Sequence, residues 1–145
     1  MSDFLQVSGK TFLVFGVANR KSVAWSVAKT LEAAGATMLA VADIEEGVDL
    51  RTSGIRAPIL VFGALSVSDL EGLFSHDLTP TISSPGAARS LAAAAARHGC
   101  RLTCHLKIDT GLNRLGFRDD NLRRTLPEVL ASPALDVEAD RKSVV

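Results

Sequence analysis

The apolar residues of this chain fall into short β-favouring runs separated by segments with helical spacing. Thr11-Phe-Leu-Val-Phe15 is such a run, ended by Gly16, and Val23, Val27, Ala28 and Leu31 then recur at helical intervals within Ser22 to Ala34. The same alternation predicts strands over Met38 to Ala42, Pro58 to Phe62, Leu78 to Ile82 and Arg101 to Ile108, with helices over Ile44 to Ser53 and Val67 to Ser75. Ser84 as N-cap and Pro85 at the first helical position open an alanine-rich helix that stops near Gly99. A last helix, Asn121 to Ala131, halts before Pro133, and Leu135 to Val137 begins another strand. Strands alternating with helices predict a parallel sheet, and short loops without a Pro/Ser-rich linker read as one α/β domain.

Composition narrows the partners. With 16 acidic and 16 basic residues the formal net charge is zero, so nothing draws the chain to nucleic acid or to an anionic membrane surface. The most apolar windows, such as Ala57 to Leu65, fall far short of a membrane span, and no secretory pattern opens the sequence; the expected compartment is the cytoplasm. Cys100 and Cys104 make no disulfide framework and are expected to be reduced thiols. The chain contains no tyrosine, which removes any mechanism that needs a phenol from these residues.

Gly16-Val-Ala-Asn-Arg-Lys-Ser-Val23 lies between a strand and a helix, where backbone N–H groups can hold a diphosphate, although the usual glycine triplet is missing. A plain strand-to-helix turn of an α/β protein is the other reading of the spacing. The stretch Ser8 to Trp25, Ser-Gly-Lys-Thr-Phe-Leu-Val-Phe-Gly-Val-Ala-Asn-Arg-Lys-Ser-Val-Ala-Trp, resembles the amino terminus of bacterial enoyl-acyl carrier protein reductases. That resemblance covers about residues 4–36 and implies a remnant NAD loop in which Gly16, Ala18, Ser22 and Val23 would lie against the dinucleotide phosphates. The reductases' catalytic tyrosine and lysine have no counterpart here.

From about Val27 the chain resembles alanine racemases, on Met38-Leu-Ala-Val-Ala-Asp-Ile-Glu-Glu-Gly47, Pro58-Ile-Leu-Val-Phe-Gly63, Leu78-Thr-Pro-Thr-Ile82 and above all His105-Leu-Lys-Ile-Asp-Thr-Gly-Leu-Asn-Arg-Leu-Gly-Phe117. The resemblance implies an α/β fold, a partial (β/α)8 TIM barrel whose first βα unit comes from a Rossmann-type reductase; 145 residues are few for a barrel that typically needs about 250. Period-two alternation independently puts Leu102, Cys104, Leu106 and Ile108 on one face of a strand and His105, Lys107 and Asp109 on the other. Ionisable residues at the carboxyl end of an inner strand are costly unless paired or functional. A partly solvated Lys107–Asp109 pair at a loop mouth is the structural alternative.

By resemblance, Arg114 orients the ring oxygen of pyridoxal 5'-phosphate, and Lys107 is the candidate carbamylated lysine that steadies it. The resemblance also implies alanine as the small-molecule substrate and a homodimeric parent family. No catalytic set is complete: the racemase first strand carries the lysine that attaches the cofactor, neither Lys21 nor Lys29 stands in a motif that replaces it, and the opposing base is a tyrosine. The expected organisation is therefore residues 1–36 from the reductase-like segment, 37–139 from the racemase barrel and 140–145 as a non-native tail, Asp140-Arg-Lys-Ser-Val-Val145, which continues no barrel strand and resembles a translated sequencing adapter. The function expected is that of an inactive alanine racemase fragment; the alternatives are an NAD-binding reductase fragment and an assembly artefact. A non-enzymatic interaction protein with an exposed sheet edge is a further reading. No metal is expected, because Cys104 and His105, the adjacent members of the set His98, Cys100, Cys104 and His105, point to opposite faces. Trp25 reads as core, and Asp43, Glu45 and Glu46 as a solvated helix start.

Overall fold

The computed structural model describes residues 6–17, 21–65, 70–109 and 111–138. They fall into two compact units, Met1–Gly63 with Glu71–Leu78, and Ala64–Leu70 with Thr79–Val145. The first unit contains β1 (Thr11–Leu13), α1 (Val23–Ala33), β2 (Met38–Val41), α2 (Ile44–Thr52), β3 (Ile59–Val61) and α3 (Glu71–Ser75). Its strands pair in parallel, Phe12 opposite Leu39 and Ala40 opposite Leu60. The second contains β4 (Thr79–Ile82), α4 (Pro85–Arg97), β5 (Leu102–Leu106), β6 (Ile108–Asp109), β7 (Phe117–Arg118), α5 (Asp119–Leu130) and β8 (Leu135–Val137). There β4 and β8 flank β5, again in parallel, with Thr81 opposite His105 and Cys104 opposite Val137.

Local chemistry explains the helix limits. The Ser22 hydroxyl accepts from the Trp25 N–H, the Asp43 carboxylate from Glu46 N–H, and the Ser84 hydroxyl from Ala87 N–H, each capping a helix that the spacing predicts. Gly35 and Gly99, both at positive φ, carry the chain out of α1 and α4. In the first unit, Leu39, Leu50, Ile59 and Val61 are fully buried between sheet and helices, as strands covered on both faces require. Trp25 is half-buried with Lys29 5.3 Å above its ring.

One charged side chain closes the loops that precede β3 and β4. The Arg51 guanidinium donates to four backbone carbonyls: Nε to His76, Nη1 to Ile55 and Ala57, and Nη2 to Asp77. Beside it, the Glu32 carboxylate accepts from the Arg56 and Ala57 N–H groups at 2.6 and 2.7 Å.

Two expectations need correction. The strand predicted over Arg101 to Ile108 ends at Leu106, because the Lys107 carbonyl accepts from Phe117 N–H at 2.8 Å and diverts the chain into the separate β6–β7 ladder. Ile108 is consequently 40% exposed and does not continue the apolar face of Leu102 and Cys104. The helix predicted from Val67 is described only from Glu71; residues 67–69 lie outside the described residues, as do residues 140–145.

Leu50 has no exposure, so its truncation leaves a cavity in the core of the first unit. Leu50→Ala is expected to lower unfolding free energy by about 2–5 kcal/mol in a urea titration; a loss below about 1 kcal/mol would mean that α2 repacks freely.

Candidate functional site

The second unit brings together the two residues singled out from sequence. Lys107, half-buried just past β5, and Arg114, exposed on the loop between β6 and β7, line one cavity of about 170 Å³ with Ile108, Asp109, Leu112 and Leu115. Lys107 is held from both backbone sides, its N–H donating to the Ile82 carbonyl at 2.9 Å and its own carbonyl accepting from Phe117. The Asp109 Oδ1 accepts from the N–H groups of Gly111 and Asn113 at 2.9 and 3.0 Å. These bonds, Gly111 first, hold the Asp109 carboxyl below its ordinary value. The carboxylate considered as a partner of Lys107 thus spends Oδ1 on the backbone of the arginine-bearing loop.

Two residues before Lys107, within β5, His105 is half-buried, with Nε2 3.9 Å from the Glu138 carboxylate. Its neighbour across the ladder, Thr81, is 5% exposed. Cys104 faces away from this polar side: it is fully buried, its thiol approaches the Asp136 carbonyl at 3.6 Å, and burial followed by the Asp136 charge pushes it up to about 11. Cys100 is exposed. Among the described residues no group of three or more His, Cys, Asp or Glu side chains is arranged to hold a metal.

In the first unit two of the residues offered as a dinucleotide loop, Gly16 and Ser22, have other partners. The N–H groups of Gly16 and Val17 donate to Glu46 Oε1 at 2.7 and 3.1 Å, while Glu46 Oε2 accepts from Ala42 N–H at 2.9 Å. Ser22 caps α1 and Val23 is 80% exposed; Ala18 lies outside the described residues. Asp43 and Glu45 are exposed, but Glu46 is half-buried and tethers β1 to the start of α2, so its reading as part of a solvated helix start is corrected. The spacing Asp43-Ile-Glu-Glu46 is that of a capping box, a signal that could have marked Glu46. At the mouth of these strands the Phe15 and Phe62 rings meet edge to face at 5.5 Å. A cavity of about 540 Å³ in the same unit is larger, but Arg51, one of the two arginines on its wall, is occupied by the four carbonyls described above.

Comparison with known proteins gives a consistent result. The family profile described as alanine racemase, N-terminal domain, matches residues 18–139. An alanine racemase of Halothermothrix orenii is 47% identical over 92 residues, which is 63% of this chain and 24% of that protein. One from Desulforamulus reducens is 39% identical over 113 residues, 77% of this chain and 30% of its own length. Among solved structures, an alanine racemase of Clostridium difficile 630 superposes with a TM-score of 0.81 and 26% identity, covering 94% of this chain and 37% of that one. The fold is therefore part of a parallel (β/α)8 barrel, and the chain spans about a quarter to a third of the length of the curated relatives it matches. No described helix is long and apolar enough to cross a membrane.

The two thiols should separate cleanly by reactivity. At pH 8 a thiol reagent is expected to label Cys100 in the native chain and Cys104 only after unfolding; equal labelling rates would contradict the burial of Cys104. Because folding raises the Cys104 pKa from 9.0 to about 11, its contribution to stability is present below pH 9 and declines as pH rises through that window.

Proposed function

This chain belongs to the alanine racemase N-terminal domain family, and from that membership we propose that it is part of a pyridoxal-phosphate barrel that does not by itself interconvert L- and D-alanine. The observation that carries the reading is the convergence of Lys107 and Arg114 on one cavity. In this reading Arg114 would orient the ring oxygen of pyridoxal phosphate, and Lys107, once carbamylated, would steady that guanidinium as an anion. When bound in a complete enzyme, pyridoxal phosphate supplies the electron sink that makes the α-proton of an amino acid removable.

The residues of this chain do not fit covalent attachment of that group. Barrel sites form at the carboxyl ends of the strands, and from Thr11 to Val17 there is no lysine. Lys10 precedes β1 at its other end, Lys21 is exposed, and Lys29 lies against Trp25 on α1. The chain also has no tyrosine to act as a second base. Each gap removes one half of a two-base proton exchange.

We keep the reductase-like origin of residues 1–36, with 37–139 as the racemase part and 140–145 as a non-native tail, as a proposal supported by the Ser8 to Trp25 resemblance. Retention of NAD binding is the weaker reading, since Glu46 already engages the Gly16 and Val17 N–H groups. A small amino acid as the family's ligand, a cytoplasmic setting, a homodimeric parent enzyme and no nucleic-acid partner complete the proposal.

Purified chain supplied with pyridoxal phosphate is expected to leave L-alanine optically unchanged, and Arg114→Ala is expected to weaken any dialysable binding of the cofactor. Racemisation above the rate with free cofactor would overturn the first statement, and unchanged binding in the variant would overturn the role of Arg114. One uninterrupted DNA molecule encoding Ala18 to Thr52 together with Asp140 to Val145 would exclude an assembly artefact.

A further inference from the structure

The loop that carries Arg114 has a demanding backbone. Gly111, Asn113 and Gly116 all take positive φ, at 131°, 54° and 135°, and Asn113 does so as a non-glycine residue. A Cβ at Gly116 would stand 2.8 Å from the Asp109 nitrogen and 2.9 Å from the Lys107 oxygen, so the returning chain passes directly against the strand it left. Most of the loop is solvent-exposed, and its tip residue Leu112 is 79% exposed. Little apolar burial is available to hold it.

Its order comes from hydrogen bonds, and these converge on one atom. Asp109 Oδ1 accepts from both Gly111 and Asn113 N–H, while Asn113 Nδ2 donates back to the Gly111 carbonyl at 3.3 Å. An ionised carboxylate offers acceptors only, whereas an amide in its place would turn an NH₂ group toward some of the same donors. Lys107 and Arg114 line the same cavity as this carboxylate; Arg118, its partner in the β6–β7 ladder, is paired with Asp120 at 3.1 Å.

We propose that Asp109 is the positioning residue of this site: by accepting the Gly111 and Asn113 N–H groups it fixes the loop that presents Arg114 beside Lys107, without itself contacting a ligand. The assignment rests on Lys107 and Arg114 being the site. Loss of the negative charge frees Gly111 and Asn113, lets the loop leave its left-handed conformation and carries Arg114 away from the cavity. Since the folded-state pKa of Asp109 is depressed, loop order is present above the ordinary aspartate value and is lost as pH falls through the depressed one.

Two measurements on the full chain test this, and neither uses the cofactor, so failure of the racemase reading leaves both interpretable. In the first, trypsin cleavage after Arg114 under native conditions is expected to speed up by about tenfold in Asp109→Ala, with a smaller rise in Asp109→Asn and no matching fall in thermal midpoint, because local opening sets the rate. In the second, the amide resonances of Gly111 and Asn113 are expected to move together in the wild type as pH falls below the ordinary aspartate range, and to do the same in Arg114→Ala. Unchanged cleavage in a folded Asp109→Ala, or Gly111 and Asn113 amides that do not titrate, would overturn the assignment. If Asp109→Ala does not fold, the wild-type titration decides it alone.

Discussion

A parallel strand uses its backbone polar groups within the ladder, but each loop that enters or leaves it carries N–H and C=O groups that the ladder cannot reach. These must find partners, since a buried peptide group left unpaired costs about 1–3 kcal/mol. In this chain charged side chains supply many of them. Arg51 gathers four carbonyls before β3 and β4, Glu32 takes two N–H groups there, Glu46 takes two after β1 and one after β2, and Asp109 takes two in the loop after β6. The hydrophobic core gives each unit its cohesion, but the paths of the loops, and therefore the location of any chemistry, depend on these charge-to-backbone bonds.

That dependence explains what could be read from sequence. Period-two and helical spacing located the strands and helices because burial, which a residue's own side chain decides, determines them; Ser84 marked a helix start because a cap is a contact over three residues, and the same contact at Ser22 and Asp43 is seen in the structure. The break after Leu106 could not be seen, since it comes from a hydrogen bond between Lys107 and Phe117, and nothing in the local pattern of Arg101 to Ile108 announces a partner ten positions on. Glu46 was misjudged for the same reason. Its neighbours suggest a solvated helix start, while its partners Gly16 and Val17 lie 30 and 29 residues away.

The candidate site was legible to a different degree. The motif from His105 to Phe117 named Lys107 and Arg114, and the two line one cavity. The backbone bonds of Asp109 were not legible, because the N–H groups of Gly111 and Asn113 meet its carboxylate only through the bend of the following loop. Around Gly16 and Ser22 the spacing leaves the partners of the backbone open, and the tertiary structure supplies them: Glu46 accepts from the Gly16 N–H, and the Ser22 hydroxyl accepts from the Trp25 N–H.

The fork of Arg51 has a consequence for how this scaffold can drift. Its donors serve four carbonyls on two separate loops, a task that depends on a planar, rigid array and hardly at all on net charge. A lysine would keep the formal charge and forfeit the geometry, since one ammonium with three donors cannot span the same four acceptors. Exchange between the two basic residues, harmless at most exposed positions, is therefore closed to this lineage at position 51 unless both loops change with it.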